Sequence, residues 1–371
     1  MRTIIQGRFS HRLRSMWISC KVASDVLLRR ALGKPLVAEW PWLVEYATLY
    51  IRAQFNHAFA REDFAEGRAY FDSVYGVVRD YPDVAIRATG AGEPPGHWFI
   101  PTRVRSDATM LHFHGGGYAF YAGVSHHFAA CMAHTLGIRI FAPDYRLTPE
   151  HPHPAQRDDA LAAYAYLLQQ GVNPAKLILC GDSAGGHLAL MTRVNLQQAG
   201  LPAPALTIGL SPWTDTGLRG ASQFGNDRYD LVQGHMTVQF SRWLKGGQPL
   251  SDAELSPIYQ DFSDLGPVYL QAGGLEILVD MIRAFASTVK AQGGQVRLDV
   301  WPQMMHEFQS YGDYLPESRE ALQRLAEAID WATGKVADFA GASWTECDHW
   351  RTSQKAPKAS AAGIIAGMPA P

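Results

Sequence analysis

Residues 181–185 read Gly-Asp-Ser-Ala-Gly, set between the apolar run "KLILC" and the helical pattern "AGGHLAL". A serine flanked two residues away by glycines, on a turn from strand to helix, is the arrangement that holds a hydroxyl out as a nucleophile. The reason is steric. The glycines let strand and helix pack closely, and the turn presents Ser183 Oγ at a helix N-terminus, where developing negative charge is favoured. A serine hydroxyl is a weak nucleophile at neutral pH and needs a base, itself oriented by an acid. In the chain order serine, acid, histidine, the base falls to His306, in "PQMMHEFQSY" directly after the strand "RLDVW". His112 lies within a strand, and His126, His127, His151 and His153 all precede Ser183. The acid is Glu276, just past the strand "PVYLQ"; Asp280, one helical turn on, is the alternative and suits a helix start better.

A second stretch, "MLHFHGGGYAFY" at 110–121, carries three consecutive glycines. Glycines cost conformational entropy on folding, so a triplet marks backbone that must come close to something. Placed after a strand and upstream of Ser183, these residues can aim N–H groups at the oxygen of a reacting carbonyl. Gly115 and Gly116, with Ala184 after the nucleophile, are the expected donors. A phosphate cradle is the rival reading, but the Walker lysine and the G-x-G-x-x-G spacing are missing. Tyr118, Tyr121, Trp213, Met305 and Phe308 flank these loops and are the candidate substrate contacts. For all but Tyr118, core packing is the blander alternative.

The elements that must position these residues begin near residue 84. Short β-rich runs ("VAIRA", "HWFIP", "TMLHF", "RIFAP", "KLILC", "LTIGL", "PVYLQ", "VRLDVW") follow one another, most of the later ones separated by helix-length segments. That alternation predicts an α/β fold with a mostly parallel central sheet flanked by helices. Residues 36–70 read as helical and aromatic, and 216–266 lack strand patterning apart from a short helix expected near 235–244. After Lys335 the composition turns to Ala, Ser, Gly and Pro, which reads as a mobile tail outside the fold.

The 371-residue chain has a formal net charge of −2, which gives no reason to expect nucleic acid as a partner. Four cysteines show neither metal-ligand nor redox spacing, so a reduced, cytoplasmic setting is expected. No apolar run is long enough to span a bilayer. The N-terminus is basic: Arg2, Arg8, Arg12, Arg14, Lys21, Arg29, Arg30 and Lys34 face the single acid Asp25. A solvated helix face explains this more simply than a helix lying on an anionic membrane.

"HGGGY" (114–118), "DYRLTPEHPHPAQRDDALAAYAYL" (144–167), "GDSAGGHLAL" (181–190), "LSPWTD" (210–215) and the His306 region together resemble the hormone-sensitive-lipase-like esterases, bacterial family IV of the α/β-hydrolase superfamily. The resemblance covers roughly residues 84–334. It implies an α/β-hydrolase domain at 73–335 under a helical cap made by residues 1–72 and an insertion at about 216–250, with a tail at 336–371. It further implies hydrolysis of small-molecule esters by a Ser183, His306 and Glu276 triad through an acyl-enzyme, without metal or cofactor, in a chain that is often dimeric in this family. The chain departs from the family twice: Glu276 stands where many relatives have aspartate, and Glu307 where many have glycine. Lactone or amide hydrolysis by the same residues is the alternative activity. A non-catalytic receptor of the same fold is the distant one, and it would lack the histidine.

Overall fold

The computed structural model describes residues 2–4, 7–73, 76–121, 123–336 and 346–348. Its centre is one sheet: β3 (Val84–Ala88), β4 (Gly96–Pro101), β5 (Thr109–Phe113), β6 (Arg139–Pro143), β7 (Leu177–Asp182), β8 (Leu206–Leu210), β9 (Val268–Gly273) and β10 (Val296–Trp301). These eight lie in the order β10-β9-β8-β7-β5-β6-β4-β3, and β4 alone runs antiparallel to its neighbours. A three-residue strand, β11 (Glu346–Asp348), pairs in parallel with β10 at the far edge. The tail reading of 336–371 did not predict that edge strand; residues 337–345 and 349–371 lie outside the described residues. A separate antiparallel pair joins β1 (Arg2–Ile4) to β2 (Gly76–Val78).

The sheet is buried on both faces, as its continuously apolar strands require. Along β7, Leu177 and Leu179 join the cluster that holds Ala160, Leu188 and Ile282, whereas Ile178 and Cys180 join the one that holds Phe128, Leu322 and Leu325. Helices α5 (Ala155–Gln169), α6 (Ala184–Gln198) and α10 (Val279–Ala291) therefore cover one face, and α4 (Gly123–Leu136) and α11 (Pro316–Ala332) the other.

Three N-terminal helices, α1 (Phe9–Ala31), α2 (Trp42–Phe59) and α3 (Phe64–Phe71), pack with the segment after β8, which carries α7 (Ser222–Gly225), α8 (Gly234–Lys245) and α9 (Asp252–Leu255). Helix α8 lies where the sequence puts a short helix. Aromatic rings bind the two parts: Trp243 sits 4.2 Å from Phe64 and 5.6 Å from Phe59, and Phe240 sits 5.3 Å from Phe59, centroid to centroid. Such pairs are each worth about 0.5–1.5 kcal/mol beyond the area they bury. Among the described residues no helix is long and apolar enough to cross a membrane.

Candidate active site

Ser183 occupies the turn between β7 and α6 with φ 53° and ψ −117°, a left-handed conformation that costs a non-glycine residue about 1–3 kcal/mol. Its neighbours must be small. A Cβ on Gly181 would come within 2.1 Å of the Gly185 carbonyl oxygen, and one on Gly185 within 2.0 Å of that of Phe113. The Ser183 N–H donates to Leu210 O at 2.9 Å, and its carbonyl accepts from Trp213 N at 3.0 Å, so the strained turn is fastened on both sides.

His306 follows β10 and brings Nε2 to 2.8 Å from Ser183 Oγ. Its Nδ1 faces Glu276, whose Oε2 lies 3.8 Å away, an ion-pair separation longer than a hydrogen bond. Both side chains are buried, and both His306 Nδ1 and Glu276 Oε1 are otherwise unpartnered. Burial disfavours the imidazolium, but Glu276, Glu307 and Asp230 outweigh it and push His306 up to about 9. Asp280 is engaged elsewhere. Its carboxylate accepts from Ser222 N at 2.9 Å, starting α10 against α7.

Asp230 carries no motif in the sequence, yet it holds this site together. It is fully buried on the insertion between α7 and α8. Oδ1 accepts from the backbone N–H of Leu231 (2.7 Å) and His306 (3.1 Å), and Oδ2 from that of Ile277 (2.6 Å). One carboxylate thus ties the backbone at the base to the backbone beside the acid. Burial, opposed by His306, raises Asp230 to about 6. Its signal in the sequence is only an acid ahead of the apolar pair Leu231 and Val232, in a stretch without periodicity.

The glycine loop differs from expectation in one position. The N–H of Gly115 donates to Asp182 Oδ2 at 2.8 Å, so it is committed to the protein and turned away from substrate. Gly116 and Gly117, both at positive φ, line the pocket with Ser183 and Ala184. Among the described residues the N–H groups of Gly116, Gly117 and Ala184 have no protein acceptor. Burial opposes charge on Asp182, but His112, with Nε2 3.1 Å away, holds its carboxyl below the ordinary value. Glu307 takes φ 53° and ψ 30°, the conformation glycine would adopt there. Burial and the Asp182 carboxylate push Glu307 well above the usual carboxylate range. His114 is stacked between Tyr121 (4.0 Å) and Tyr145 (4.2 Å), and burial lowers it to about 4.

The space between the walls above Ser183 amounts to about 430 Å³, open solvent at its mouth included. Phe55 from α2, Phe240 from α8, and Leu231, Val232 and Trp213 give it apolar walls. Of the five candidate contacts, Trp213 alone reaches it. Tyr118 is buried with its hydroxyl 2.5 Å from His187 Nδ1, and Tyr121 stacks on His114. Met305 and Phe308 pack with Trp40, Val44 and Trp301, because the chain beyond β10 turns its side chains toward the start of α2.

A serine on a strained turn, an imidazole on its hydroxyl, and free amides beside both are the parts that hydrolysis by acyl transfer calls for. Similarity to known proteins agrees. The sequence family described as "alpha/beta hydrolase fold" matches residues 110–310. An acetyl-hydrolase of Streptomyces hygroscopicus is 34% identical over 257 residues, covering 66% of this chain and 85% of the relative. An esterase of Acinetobacter venetianus is 31% identical over 230 residues, covering 61% and 76%. The crystal structure of an esterase from the bacterial hormone-sensitive lipase family superposes with a TM-score of 0.71 at 32% identity, covering 76% of this chain and 97% of that one. The chain belongs to the hormone-sensitive-lipase-like (family IV) esterases of the α/β-hydrolase superfamily, and it is a carboxylic ester hydrolase.

Proposed function

We propose a serine carboxylesterase for short- to medium-chain or aryl esters, with Ser183 as nucleophile, His306 as base, Glu276 as the acid that orients it, and Gly116, Gly117 and Ala184 as oxyanion donors. The observation that carries this reading is the 2.8 Å contact of His306 Nε2 with Ser183 Oγ on the floor of an apolar pocket. Ser183 Oγ bonds to the ester carbonyl carbon while its proton passes to His306 Nε2, and the carbonyl electron pair moves to oxygen facing the free amides. When that oxyanion collapses, the bond to the alcohol oxygen breaks and the alcohol leaves with the proton from His306. Water then repeats the attack with His306 again as base; the acid departs and Ser183 regains its proton. Glu276 stabilises the imidazolium formed in each half-reaction.

Helices α1–α3 and about residues 216–250 serve as the cap that supplies Phe55 and Phe240 to the acyl pocket. The buried free thiols Cys131 and Cys180 suit the reduced cytoplasm. Hydrolysis of p-nitrophenyl esters from acetate to palmitate tests the reading, with Ser183→Ala in parallel. The expected result is a rate that peaks at short or medium chains and falls about 10⁶-fold in the variant. No Ser183-dependent rate at any chain length would overturn the ester assignment and turn attention to lactones or amides.

A further inference from the structure

We propose that His97, His126 and Asp144 form a binding site for a divalent transition metal of the zinc type. They come from three separate elements: His97 from β4, His126 from α4, and Asp144 from the residue after β6. Each offers one ligand atom, and these atoms all lie within 4.8 Å of one another. Nothing in the ester chemistry uses them.

Two observations make this more than proximity. His97 Nδ1 and Asp144 Oδ1 are sealed from solvent and have no hydrogen-bond partner, although buried polar atoms as a rule do. They stand 3.5 Å apart. Ligands at the corners of a tetrahedron, on bonds of about 2.0–2.1 Å, are separated by about 3.3–3.4 Å. A cation between these atoms would therefore partner both without moving either strand. The rings of His97 and His126 meet at a centroid distance of 4.4 Å and an angle of 57°, tilted so that their edges converge.

The chemistry of the set selects the metal. Two imidazoles and one carboxylate are borderline donors, suited to zinc and its transition-metal neighbours; calcium and magnesium call for an all-oxygen shell. The Tyr121 hydroxyl stands 2.5 Å from Nε2 of His126. The side chains of His97 and Asp144 remain 25% and 31% exposed, which leaves a path for the ion and a fourth position for water. Bound metal would staple the antiparallel strand β4 to α4 and to the end of β6.

The test is titration of the purified, chelator-treated chain with Zn²⁺ against a chromogenic competitor, repeated with Co²⁺ as a spectroscopic probe. Expected are one Zn²⁺ per chain, visible Co²⁺ absorption of a four-coordinate site, and a higher Tm with metal. His97→Gln and His126→Gln, each checked to melt like wild type without metal, should weaken binding at least about tenfold. Failure of the wild type to take up Zn²⁺, or binding left unchanged in both variants, overturns the proposal. Because the readouts are stoichiometry, absorption and Tm, neither result depends on the ester-hydrolase reading.

Discussion

Ser183 and His306 stand 2.8 Å apart, but the protein holds them by opposite means. The serine turn is fixed locally. Glycines at 181 and 185 touch backbone within a few residues of it or on the adjacent strand, and the backbone of Ser183 bonds to Leu210 on β8, to Trp213 in the loop after it and to His187 one turn into α6. The histidine loop is fixed from afar. Its backbone hangs on Asp230 from the insertion, and the Trp40 indole N–H donates to Gln303 O from the segment before α2. A nucleophile needs an unusual conformation, which sequence neighbours can impose. A base needs a direction and a proton affinity, and those come from groups the fold gathers.

Breaking the far-held side should then cost at least as much as breaking the local one. Glu276→Gln keeps the shape but removes the charge that stabilises the imidazolium, and kcat for p-nitrophenyl butyrate should fall about 10⁴-fold with the far-UV spectrum unchanged. Asp280→Asn is the control, expected within about tenfold of wild type; a reversal of the two would transfer the role of acid. On the local side, Gly116→Ala places a Cβ 2.4 Å from Phe120 O at a φ of 100°. It should lower kcat about 10²–10³-fold by turning an amide away from the oxyanion.

Asp230→Asn probes the link between the two. The carboxylate accepts three N–H bonds on two oxygens, whereas an amide offers one oxygen and turns a donor toward Ile277 N or His306 N. Stability should drop by about 1.5–3 kcal/mol and kcat by up to about 10²-fold, read from denaturant melts and initial rates. The pH profile sharpens this. A base must be unprotonated to act, so with His306 at about 9, kcat/KM of the wild type should climb with pH until that value. Asp230 favours the imidazolium, so its neutralisation should move the rising limb to lower pH. The smallest effect belongs to Glu307→Gln: removing one of the carboxylates that raise His306 should shift the rising limb slightly to lower pH and leave kcat within about threefold.

The same contrast explains what could be read from the sequence. The sheet was legible because buried parallel strands are continuously apolar, and Ser183 because its geometry is written into five adjacent residues. That Glu276 and His306 come to lie beside Ser183 follows from their standing just past strands. Which glycine amide turns inward was not legible, since it depends on whether the Asp182 carboxylate claims Gly115. Tyr118, Tyr121, Met305 and Phe308 adjoin the catalytic loops in sequence, but Tyr118 is tied to His187, Tyr121 stacks on His114, and Met305 and Phe308 pack around Trp40. Asp230 was missed for a related reason. Its distant partners, Ile277 and His306, are 47 and 76 residues away, and no spacing announces them.

That single carboxylate has a bearing on how such an enzyme can be rebuilt. Chimeras that graft the lid of one esterase onto the body of another assume that the lid chooses the substrate and the body does the chemistry. Here the segment that walls the pocket also carries the carboxylate that holds the His306 backbone, so a foreign segment without an acid at position 230 would bring in new pocket walls and loosen the histidine at the same stroke.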